Sequence, residues 1–162
     1  MKKIFAGLLA LTLCCSMATT AFAAEINQDS DPKTGSTTLT TSKAATYTII
    51  IPESAEIAFD VEKNPIGEIE YRSGNLEPDA YVTVTLSEKT ALANKVDDQY
   101  TIDYVISDAE GEFTSVVYDE ETVAGTKTAL TADITKMAWE DAKAGDYSAT
   151  LTFAISYTNP HA

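Results

Sequence analysis

The side chain best suited to moving protons stands alone. His161 is the single histidine of the 162-residue chain, next to last and directly after Pro160. A Ser-His-Asp triad needs an imidazole held by a carboxylate beside a positioned hydroxyl, and a histidine-built zinc centre needs two or three rings. A tail histidine meets neither requirement. Cys14 and Cys15 are the only cysteines, and both sit in an N-terminal apolar stretch. Once that stretch is removed, the chain has no thiol nucleophile, disulfide or thiolate metal site. Asp and Glu total 25, so a glycosidase carboxylate pair is available by count. Such a pair has to face across a cleft with one pKa raised. The acids here gather in turn-like runs, Asp97-Asp98 and Asp119-Glu120-Glu121, which read as solvated loops. A Ser–Lys arrangement would leave no trace in the spacing. Asp29-x-Asp31 before Gly35 begins like a calcium loop, but Lys33 stands where a third oxygen ligand is needed and no Glu closes the loop. The glycines are scattered and form no phosphate loop. The expectation is a non-enzyme, with no catalytic residue, no metal and no cofactor.

The N-terminus reads as a secretory signal. Lys2 and Lys3 are its positive end, Ile4 to Met17 its apolar stretch, and Ala21-Phe22-Ala23 a small-x-small cleavage site. The apolar run is shorter than the ~18–20 residues of a membrane span. Cleavage is expected after Ala23, leaving a secreted or surface-bound chain with no membrane insertion. The formal charge is −14, and loss of Lys2 and Lys3 makes it more negative. So acidic a chain is repelled by nucleic acid and by anionic membrane.

Hydrophobic periodicity then gives the elements that would position any site. From Tyr147 every second residue is large or apolar (Tyr147, Ala149, Leu151, Phe153, Ile155, Tyr157), which predicts one long strand with a core face. A strand of that length calls for a sheet on either side. Ala45–Ile51, Tyr81–Leu86, Gln99–Ser107 and Lys127–Thr135 are further strands by alternation or β-branched content. Thr37–Thr41 reads as a first edge strand, and Glu56–Phe59 and Ile66–Arg72 as short strands with a break at Asn64-Pro65. Thr90–Asp98 reads as a loop or one helical turn, and Glu112–Tyr118 as pairing back on the preceding strand. Lys136–Ala144 reads as one or two helical turns ended by Gly145. Residues 1–23 are thus a signal peptide, 24–36 a flexible polar segment, 37–157 the domain and 158–162 a tail. The domain is expected to be all-β: a two-sheet sandwich of eight or nine strands, with one short helical turn before the last.

Gly145-x-Tyr147 after a short helix resembles the tyrosine corner of immunoglobulin-like sandwiches, with Lys143 where that family usually has Asp. Trp139 is expected to plug the sandwich beside it. The stretch from Ala144 to Tyr157 also resembles the C-terminal strand of secreted bacterial pilin-type subunits. Those subunits likewise have a Gly near the strand start, alternating apolar residues and a Tyr near the end. The resemblance implies a sandwich lacking its last strand, filled by a segment of another chain. This chain departs from that pattern in the extra residues Thr158–Ala162, in lacking a disulfide, and in an N-terminal segment 24–36 whose one large apolar residue is Ile26. A complete sandwich with a central final strand stays open beside it.

The expected function is a non-catalytic secreted surface, fibre or adhesion subunit that meets a protein partner or itself through a sheet edge. The alternative is a ligand-binding module, for carbohydrate above all, with Tyr71, Tyr81, Tyr118 and Trp139 as candidate rings. The structural residues expected to matter are Trp139, Gly145, Tyr147, Leu151, Phe153 and Ile155.

Overall fold

The computed structural model describes residues 26–31 and 33–162. The expected signal segment, with Ala23, Cys14 and Cys15, lies outside them. The chain divides into two units at Ser42/Lys43. In the first, Thr37–Thr41 forms no strand, against expectation, and Leu39 is 90% exposed. Four threonines and one leucine give a strand face almost nothing to bury, so β-propensity alone does not order it.

The second unit is all-β. It contains β1 (Thr46–Ile50), β2 (Lys63–Asn75), β3 (Tyr81–Lys89), β4 (Leu92–Asn94), β5 (Thr101–Ile102), β6 (Val105–Ser107), β7 (Ser115–Asp119), β8 (Thr126–Asp133), helix α1 (Lys136–Asp141), β9 (Tyr147–Ser148) and β10 (Leu151–Thr158). One layer has the order β1-β2-β8-β6, all antiparallel. The other contains β10-β3-β7 and β5-β4-β9. Those two pieces run on into each other. β9 pairs with β4 and β10 with β3, and the Thr90 N–H donates to the Thr150 carbonyl between them (3.0 Å). The layers meet through apolar side chains: Ile69, Tyr71, Leu130 and Ile106 from the first, Val84, Tyr118 and Leu92 from the second. Tyr71 stacks on Tyr118 across them at 5.3 Å. Each fully buried aliphatic side chain in such a core contributes roughly 1.5–3 kcal/mol.

Several expected boundaries move, each for a local reason. Asn64-Pro65 does not break the chain; both lie inside β2, and Pro65 pairs with Thr131. Ile66 is the extra residue of a bulge there, and Gly67 carries a φ of 113° that glycine adopts without strain. The bulge resets the alternation, so Asn64 and Ile66, then Ile69 and Tyr71, all point inward. Ser73-Gly74-Asn75 continues β2 rather than turning it. Glu56–Phe59 is not a strand. The Asn64 amide takes the Ala58 N–H (2.8 Å) and gives to the Val61 carbonyl (2.8 Å), and Asp60 turns into the left-handed region at φ 60°. Thr90–Asp98 contains β4 rather than a helical turn. Gln99–Ser107 splits into β5 and β6, which lie in different sheets. Glu112 does bridge to Ser107, but β7 pairs with β3 instead of β6.

Helix α1 starts at Thr135, whose hydroxyl accepts the Ala138 N–H (3.2 Å). It ends at Ala142 in extended conformation, so Gly145 is not its cap. Among the described residues no helix is long and apolar enough to cross a membrane.

Candidate functional site

The final stretch differs most from expectation, and it makes the site. Its alternation is real, but it is two strands with an irregular joint at Ala149-Thr150. The register against β3 and β4 slips once at that joint and once more between Thr152 and Phe153. More consequentially, β10 is an edge. Among the described residues its single ladder partner is β3, so the expected sheet on either side is absent there. Among the described residues, the outer N–H and C=O groups of this eight-residue strand therefore have no ladder partner. Leu151 and Phe153 are half-buried, and Ile155, between Phe153 and Tyr157 on the inward face, is 41% exposed.

Beside this edge lies a groove of about 1050 Å³. One wall is Pro52–Ile57, the segment that follows β1; the other is the run from Gly145 to Leu151, with Phe153. The buried side chains Ile66, Ile102, Ile106, Ile134 and Trp139 reach its floor. The rim carries both signs, Glu53 and Asp146 with Lys95 and Lys143. At the far end Tyr47 of β1 stacks on Tyr157 of β10, centroids 6.1 Å apart and planes 23° apart. The edges of opposite layers thus meet at the tyrosines and part toward the groove.

The expected structural residues take distinct places around it. Trp139 is buried; its indole N–H donates to the Val61 carbonyl (3.0 Å), and Phe59 meets its ring edge-on at 5.4 Å. The Tyr147 hydroxyl donates to the Lys143 carbonyl at 2.8 Å, four residues back. That bond goes to backbone, so Lys in place of Asp at position 143 does not affect it. Gly145 has φ 145°, and a Cβ there would overlap the Asn94 amide, which is buried and binds the Val96 N–H (2.9 Å). Gly145 therefore serves close packing at the groove wall.

No protein-family model matches the sequence, and no curated protein matches it.

His161 and Asp119 lie apart from the groove. The His161 imidazole pairs with the Asp79 carboxylate at 2.9 Å, with side chains 65% and 71% exposed. Tyr157 and Asn159 both donate to Glu77, so the expected tail is fastened to the β2–β3 turn. Asp119 is held below the usual carboxylate range, first by the Thr122 hydroxyl and then by backbone N–H groups, and its carboxylate caps its own loop. Among the described residues no three His, Cys, Asp or Glu side chains gather to hold a metal ion. Of the candidate sugar rings, Tyr71, Tyr118 and Trp139 are buried and Tyr81 is half-buried. They offer no exposed platform.

Sequence reasoning missed the groove wall at Pro52–Ile57 and the partnership of Tyr47 with Tyr157. A signal for the open edge was present, however. Tyr147–Ala162 contains no Asp, Glu, Lys or Arg, the longest such run among the described residues.

Proposed function

We propose that this chain is a secreted, non-catalytic bacterial β-sandwich subunit of a surface or fibre assembly, and that it meets its protein partner along the outer edge of β10. One observation carries the reading: among the described residues the longest open edge of the sandwich lies in the longest run without Asp, Glu, Lys or Arg. Natural sheets guard open edges with charge, proline or short length, because an unguarded edge templates pairing with another chain. The other edges are shorter or end in charge. β6 is three residues long between Asp103 and Asp108, β7 ends in Asp119, and β1 is five residues long. β10 is left with a single bulge. Beside it, the groove offers apolar floor to side chains arriving with an added strand. The resemblance of this stretch to pilin-type subunits supports the same reading, and the signal-like N-terminus supports secretion.

The test is light scattering of the purified chain from Ala24 across a concentration series, with negative-stain imaging of the same sample. Dimers, oligomers or fibres are expected. A monomer at every soluble concentration that also captures no extended peptide would overturn the proposal.

A further inference from the structure

We propose that β10 is the seam of a twofold dimer, in which β10 of one copy pairs antiparallel with β10 of a second. This rests on the assembly reading above and specifies its partner as an identical edge.

Charge selects the seam. Two copies of the chain from Ala24, at −16 each (9 basic against 25 acidic residues), repel over most of their surfaces. The face built from Tyr147–Ala162 brings no charged side chain of its own into the approach. An uncharged edge on a strongly acidic molecule is therefore where a second copy of that molecule meets least resistance. A twofold contact is self-complementary, so one such edge is sufficient for both sides.

The side chains select the register. On the inward face Phe153, Ile155 and Tyr157 follow at intervals of two, and the middle one is the most exposed of the three. Placing the axis at Ile155 sets Ile155 opposite Ile155 of the second copy and Phe153 opposite its Tyr157. Aromatic and β-branched pairs directly opposite each other are the favourable cross-strand combinations. On the outward face the small exposed residues Ala154 and Ser156 then lie opposite each other and let the backbones approach. The regular run Phe153–Thr158, beyond the bulge, supplies the ladder.

The experiment is sedimentation of the chain from Ala24 as wild type, as Ile155→Lys, as Ile155→Glu and as a mixture of the two variants. Like charges facing across the axis are expected to weaken dimerisation at least about 100-fold in either variant alone. The mixture is expected to restore the dimer as a heterodimer. Circular dichroism checks that both variants keep the strand signal. A second route needs no charge: Ala154→Cys mixed with Ser156→Cys is expected to cross-link under oxidation, in a chain that otherwise has no cysteine after Ala23. Oligomers that are indifferent to Ile155→Lys, or a mixture that stays monomeric, would overturn this seam while leaving assembly itself in place. A wild type that never associates removes both.

Discussion

Tyr47 and Tyr157 stack at 6.1 Å, joining the edge strand of one layer to the edge strand of the other. Their contact closes one end of the sandwich side that otherwise opens into the groove. An aromatic pair of this kind adds about 0.5–1.5 kcal/mol beyond the area it covers. Tyr47→Ala is expected to lower unfolding free energy by about 1 kcal/mol in urea melts. An unchanged midpoint would show that the two edges are not coupled through these rings.

Tyr147 separates a hydrogen bond from packing. Its hydroxyl bond to Lys143 lies near the surface, so Tyr147→Phe is expected to cost about 0.5–1.5 kcal/mol. Truncating a fully buried aromatic costs about 3–5 kcal/mol, and Tyr147 is half-buried. Tyr147→Ala is therefore expected to cost about 2 kcal/mol, below that range. Equal losses for both substitutions in denaturant titrations would mean that the ring packs against nothing.

Gly74 is required by its neighbour rather than by its own torsions. A Cβ there would overlap the Tyr71 hydroxyl, and that ring is buried and stacked on Tyr118. Gly74→Ala has to displace the stack, and overpacking of this sort costs about 1–3 kcal/mol. A Tyr71→Phe background is expected to recover only part of the loss, because the ring carbon that carried the hydroxyl still overlaps the new Cβ. A Gly74→Ala chain as stable as wild type would show that the ring moves freely.

Alkaline pH tests the core tyrosines together. Burial raises the pKa of Tyr71, Tyr104 and Tyr118; nearby Asp119 adds to the rise at Tyr71, and the Thr128 hydrogen bond partly offsets it at Tyr118. A folded-state pKa above the unfolded one gives stability that is complete below the unfolded value near ~10 and lost as pH rises through the folded value. Tyrosinate absorbance for these rings is expected to rise together with loss of near-ultraviolet circular dichroism, above the range where exposed tyrosines ionise. All eight tyrosines titrating as one group in folded protein would contradict this.

The class of the fold was legible because alternation reports burial directly. β3 and β8 lie where Val82-Val84 and Leu130-Ala132 put them. Errors arose where a side chain replaced the ladder or a bulge changed the parity. Asn64 captures Ala58 and cancels a strand; Gly67 permits a bulge and carries β2 past a proline. The stretch Tyr147–Tyr157 is one-faced, as its alternation predicts, but β10 lies at an edge and not inside a sheet. Alternation tells which side of a strand meets the core and carries nothing about how many neighbours the strand has. The missing information was the absence of charge, visible in the sequence yet meaningful only once β10 is known to be an edge.

The most direct measurement is amide hydrogen exchange along Leu151–Thr158 at low and high protein concentration. The account predicts that the amides of β10 not bonded to β3 exchange quickly in dilute protein and become protected as concentration rises, while amides of β3 stay unchanged. Outer amides of β10 already protected in dilute protein, or equally exposed at every concentration, would contradict assembly through this edge.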